Sequence, residues 1–143
     1  LPILRVPDII RILSDSGFHI PRFLISIGAG WHPDVDVALN PVWLWDLCGN
    51  GVWDDPANCL TAGGWSGVLF ESQSKPLKMF WQNRSDVVVK GTAVPEALLQ
   101  NISASRNSLE TPEVGFVNID VDNGDCDFLG EVVKLRPWLI HIE

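Results

Sequence analysis

The sequence predicts an α/β domain with a mostly parallel sheet and helices on both faces. Three observations carry that prediction. Short apolar runs alternate along the chain with stretches of helical period, the order expected when crossover helices join parallel strands. The segment from Phe116 to Glu143 reads as one complete strand–helix–strand unit, which sets two parallel strands side by side through a right-handed crossover. The length of 143 residues suits a single domain, with about two-thirds of the unfolded surface buried on folding.

The elements follow in order. Val6, Ile9, Ile10, Ile12 and Leu13 take helical spacing from Pro7 onward. Pro7 suits a first turn and Gly17 an end, so a packing helix precedes the first strand. Phe23, Leu24, Ile25 and Ile27 form a buried strand running into a turn with Gly28 and Gly30, residues that let a backbone approach a ligand closely. Residues 31–55 read as a Trp-rich insertion with no sustained period, and a loop of that length inside a compact domain is often functional. Its carboxylates, Asp34, Asp36, Asp46, Asp54 and Asp55, are read as solvated rather than as cation ligands. His32 has no histidine partner near the turn. Asp55-Pro56 opens a short helix over 57–62, Gly64-Trp65-Ser66-Gly67 follows, and a second strand ends at Glu71. An acidic residue at that position accepts the hydroxyl hydrogens of a ribose, a device of nucleotide-binding sheets.

A short helix over 75–82, a third strand over 85–90 and a helix by 101 come next, with Val94, Ala97, Leu98 and Ile102 on one face. Residues 103–113 are polar and loop-like. Phe116, Val117, Ile119 and Val121 make the fourth strand, which stops at Asp122-Asn123-Gly124, a turn cluster. Asp125 is placed to cap a helix whose face is Phe128, Leu129, Val132 and Val133. Arg136-Pro137 ends it, because a residue before proline is pushed out of the α region. Trp138 to Ile142 form the fifth strand. Asp120, Asp122 and Asp125 then gather at the carboxyl end of a strand, where open α/β sheets hold ligands. Asp120, Asp122 and Glu131 also fall at the first, third and twelfth places of a calcium loop, but the sixth is Asp125 rather than glycine, which excludes an EF-hand.

Ile119-Asp120-Val121-Asp122-Asn123-Gly124-Asp125, a helix, Arg136-Pro137 and an apolar strand ending in Glu143 together resemble the FkbM-like family of S-adenosylmethionine-dependent methyltransferases. Members carry a strand ending in IDIDGxD, then a helix, then RPxxxxIE. The block from Asp55-Pro56 through Gly64-Trp65-Ser66-Gly67 to Glu71 is similar to a second family block, and the Ala93–Ile102 stretch to a third. The resemblance implies a Rossmann-like class I methyltransferase fold. That fold has seven strands, the last antiparallel; five are legible here, so the last strands are missing and the fifth keeps an open edge. It implies that Gly28, Gly30 and Glu71 bind S-adenosylmethionine, and that Asp120 and Asp122 orient or deprotonate an acceptor hydroxyl. The chain departs from the family at Ser26, where members have an acidic residue, and at Trp31 and His32, where another glycine is usual.

Charge and composition bound the function. The net charge of −8, from 18 acidic and 10 basic residues, argues against a general nucleic-acid binder. No apolar run reaches the roughly 18 residues of a membrane span, so no transmembrane segment is expected. Seven tryptophans stand beside no tyrosine, and buried aromatics are the expected explanation. Cys48, Cys59 and Cys126 form no C-x-x-C pair, which argues against a zinc site; Cys48 and Cys59 close a loop if the compartment oxidises, and reduced thiols are the preferred reading. Sequons at Asn83 and Asn101 are short enough to arise by chance. The chain opens on Leu1, as expected of a processed or partial chain.

These features give two main functional readings. The first is a degenerate methyltransferase-like domain serving as a structural or accessory subunit, since fold does not carry function with it. Ser26, the insertion and the absent last strands point to it. Its expected setting is a large organellar membrane complex, photosynthetic or respiratory, with other protein subunits docking on the open sheet edge and a tryptophan-rich surface. The alternative is an active S-adenosylmethionine-dependent O-methyltransferase on a small-molecule or sugar hydroxyl, working mainly by proximity and a base near the acceptor. A tryptophan-lined glycan-binding module ranks last.

Overall fold

The computed structural model describes residues 4–29, 55–106 and 113–143. Its elements are α1 (Val6–Asp15), β1 (Phe23–Ile27), α2 (Pro56–Ala62), β2 (Ser66–Phe70), α3 (Ser74–Phe80), β3 (Val87–Lys90), α4 (Pro95–Arg106), β4 (Phe116–Ile119), α5 (Asp125–Val132), a 3-10 turn (Val133–Leu135) and β5 (Leu139–Ile142). The strands form one sheet in the order β3-β2-β1-β4-β5, and every neighbouring pair is parallel. The sheet is therefore Rossmann-like. The chain winds outward from β1 in one direction through β2 and β3, then returns to β1's other side for β4 and β5. That reversal opens a crevice at the carboxyl ends of β1 and β4.

Period-two alternation along each strand splits the core into two layers. Leu24, Leu69 and Phe116 face one side and pack with Ile10 of α1, Ala57 and Leu60 of α2, and Leu77 and Phe80 of α3. Phe23, Ile25, Ile27, Val68, Val117 and Ile119 face the other and meet Leu98 and Ile102 of α4 and Phe128 and Val132 of α5. Helices thus cover both faces, as the alternation of periods predicts.

The structure corrects several local expectations. Helix α4 continues to Arg106 rather than giving way to a loop at 103, because Ile102 is buried and the Ser105 hydroxyl donates to the Asn101 carbonyl at 2.8 Å. Asp125 is the first residue of α5 rather than its cap. The cap is Gly124, and the Asp125 carboxylate instead accepts from the Val121 N–H at 3.3 Å. Val133 leaves the buried face, because the last turn tightens to 3-10 form and ends in a left-handed Arg136 ahead of Pro137. Cys59, read as a reduced thiol, is disulfide-bonded, while Cys126 is free and exposed. Trp65 and Trp81 are buried, as expected, whereas Trp138 is 47% exposed, edge-on to Phe18 at 6.3 Å. The other four tryptophans and the insertion up to Asp54 lie outside the described residues, as does Gly30. Among the described residues, no helix is long and apolar enough to cross a membrane.

Candidate functional site

The carboxyl ends of β1, β2 and β4 enclose a cavity of about 380 Å3, lined by Gly28, Phe70, Glu71, Asp120, Asp122 and Phe128 among others. Four residues singled out from the sequence, in three separate segments, therefore meet in one place. Hydrogen bonds fix the geometry. The N–H groups of Gly28 and Ala29 both donate to the Phe70 carbonyl, at 2.9 and 3.0 Å, and the Asp120 N–H donates to the Ile27 carbonyl at 2.9 Å. Gly28 adopts φ +78°, and a Cβ there would run into the backbone carbonyl of Asp120. The close approach of these two chain segments thus itself requires glycine at this position.

Glu71 lies one residue beyond β2, its N–H bonded to the Lys90 carbonyl at 3.2 Å. Its Oε1 accepts from the Ser72 hydroxyl at 3.0 Å and the Gln73 N–H at 2.9 Å, which holds the carboxylate at the cavity rim. Asp120 and Asp122 are exposed at the end of β4. The bond from the Val121 N–H to Asp125 shapes the loop that carries them. Among the described residues lining the cavity there are three carboxylates and no Lys, Arg or His. No group of His, Cys, Asp and Glu suited to a metal ion occurs among the described residues.

Two further residues shape this end of the sheet: Asn58, given no role from the sequence, and Asp55, whose carboxyl is buried rather than solvated as the sequence reading expects. Asn58, fully buried, donates from Nδ2 to the Ala29 carbonyl at 2.6 Å and accepts from the Trp81 indole at 3.2 Å. It ties the glycine turn to α2 and α3. Asp55, the N-cap of α2, accepts from the Asn58 N–H at 2.7 Å. Asp55 directly before Pro56, a proline in the first turn, is the sequence signal for that cap. As a residue Asp55 is only partly buried, but its carboxyl group is desolvated, and the carboxyl atoms decide its titration. Burial, with repulsion from Asp120 and Glu143, pushes it up to about 8 against the opposing N–H bonds of Asn58 and Ala57.

Ser26, Asn118 and His141 occupy one register across β1, β4 and β5. Asn118 Nδ2 donates to the Ser26 hydroxyl at 3.5 Å, and its Oδ1 lies 2.8 Å from His141 Nδ1. Ser26 is fully buried, where a carboxylate would bear a large desolvation cost, so a neutral partner suits this row.

Comparison with models of protein families, with curated proteins and with solved structures finds no match to this chain.

Proposed function

We propose that the chain binds a phosphate-free nucleoside cofactor at the carboxyl ends of β1, β2 and β4, and that this cofactor is S-adenosylmethionine. One observation carries the reading: the cavity is lined by Glu71, Asp120 and Asp122 with no basic side chain among its described residues. Dinucleotides and nucleoside triphosphates bring negative charge, which such a lining repels, whereas a sulfonium-bearing nucleoside brings positive charge, which it attracts. The volume, about 380 Å3, falls within the roughly 300–1,000 Å3 of small-molecule sites. Glu71 stands where a carboxylate accepts ribose hydroxyl hydrogens, and Phe70 and Phe128 offer apolar walls to a base.

When bound, the cofactor supplies an electrophilic methyl group. Asp120 and Asp122 are then the residues to orient an acceptor hydroxyl and take its proton, which makes the reaction an O-methyl transfer to a small-molecule or sugar hydroxyl. The test is calorimetry with S-adenosylmethionine on the full chain. Micromolar binding is expected, about tenfold or more weaker in Glu71→Ala, with no binding of NAD or ATP. A folded chain that binds none of them, or that binds ATP in preference, overturns the reading.

The accessory-subunit reading rests on a different observation. The edge strand β5 presents Ile140 and Ile142 to the surface beside Trp138. An apolar edge is a template for pairing with another chain. If this edge docks another subunit, the isolated chain self-associates at micromolar concentration, and Ile140→Lys restores a monomer in light scattering after size exclusion. A monodisperse parent chain counts against the docking role.

A further inference from the structure

A second cavity, about 520 Å3, lies at the opposite end of the sheet from the candidate cofactor site. It sits where Pro21 and Arg22 enter β1 and Gly63 and Trp65 lead into β2, under the C-terminal half of α1. Its lining has two parts. Ile10, Leu60 and Trp65 are buried side chains that form an apolar floor, and Phe18, 50% exposed, forms one wall. Arg11, His19 and Arg22 stand around that floor, and no Asp or Glu is among the described residues that line it. In a chain with 18 acidic residues against 10 Lys and Arg, a cavity whose described lining has two arginines, a histidine and no acid is a local reversal of the overall charge.

The arginines are held without being saturated. Arg22 Nη2 donates to the Gly63 carbonyl at 2.8 Å, which anchors the guanidinium at the cavity edge. Its remaining N–H donors have no partner among the described residues. Arg11 has only a loose contact with Asp8, at 3.6 Å, and an exposed pair of that kind is readily displaced. Guanidinium groups match a carboxylate with paired, charge-assisted hydrogen bonds. The apolar floor beside them matches a hydrocarbon or aromatic body.

We propose that this cavity binds a small organic anion with an apolar body, an aryl or alkyl carboxylate, whose acid group meets Arg11 and Arg22 and whose body lies on Ile10, Phe18 and Leu60. The site is separate from the cofactor cavity, and it stands or falls independently of the function proposed above. The test uses 2-naphthoate as probe and its neutral amide, 2-naphthamide, as control, titrated into the isotopically labelled full chain. Saturable amide shifts are expected at Ser14, His19 and Gly63 and not at Gly28, Glu71 or Asp122. The affinity should fall about tenfold or more for 2-naphthamide, and equally for 2-naphthoate with Arg22→Gln or Arg11→Gln. Arg11→Gln keeps the test valid if Arg22→Gln unfolds, since the Arg11 side chain makes only the Asp8 contact among the described residues. Equal binding of acid and amide, unchanged affinity in the folded variants, or shifts confined to other amides each overturn the proposal.

Discussion

Asp55 shows how one residue couples capping to titration. Its carboxyl accepts an N–H at the start of α2, yet burial beside Asp120 and Glu143 raises it from 3.8 to about 8. The folded state therefore holds this proton to a higher pH than the unfolded state does. The stability it contributes is complete below about pH 4 and is lost as the pH climbs through about 8. Asp55→Asn keeps an oxygen for the cap and removes the titration. It should match the parent near pH 4 and exceed it by about 5 kcal/mol at pH 8, measured by denaturant unfolding at both values. A parent whose stability instead rises with pH over this window would contradict the assignment. Asp55 was legible as a residue before a helix, but not as a buried acid, since its neighbours Asp120 and Glu143 come from distant parts of the chain.

At the scale of elements, Arg84 locks the entry to β3. Its guanidinium pairs with Asp86 through two bonds of 2.7 and 2.8 Å, and donates to the carbonyls of Thr61 and Trp65, each at 3.0 Å. It also lies over the Trp81 ring at 5.9 Å. One planar fork thus joins the end of α2, the start of β2 and the start of β3, a geometry that an ammonium cannot reproduce. Arg84→Lys should cost about 1–3 kcal/mol in equilibrium unfolding, and an unchanged midpoint would show that the fork adds nothing. The Arg84 guanidinium holds the Asp86 carboxyl below its ordinary value, so the stability of this pair is present at neutral pH and is lost as the pH falls through the folded value of Asp86. The strand itself was readable from its run of valines. The lock was not, because its acceptors are backbone carbonyls about twenty residues away.

For the whole molecule, strand order decides what meets what. The reversal beside β1 brings Gly28, Glu71, Asp120 and Asp122 to one end of the sheet, while Arg11 and Arg22 lie at the other. Sites so separated, with no shared side chains, should act independently. Arg22→Gln is expected to leave S-adenosylmethionine affinity unchanged, Glu71→Ala to leave 2-naphthoate affinity unchanged, and the double variant to show the sum of the two effects. Coupling between them in calorimetry would mean that the two ends communicate through β1 or α2.

Amino-acid order alone sets the class of the fold and the place of its elements, because period two and period 3.6 are local properties that burial on one or two faces imposes. It also determined the residues that end strands in acid or glycine, Gly28, Glu71, Asp120 and Asp122, because a chain leaving a sheet must turn and meet water. Tertiary structure decided the rest. The order β3-β2-β1-β4-β5 and its parallel register gather those four residues around one cavity. They also hold Gly28 against the Asp120 backbone and make Asn58 the buried tie between a turn and two helices. These outcomes depend on contacts between segments far apart in the chain, and local periodicity carries no record of which distant surfaces pack together.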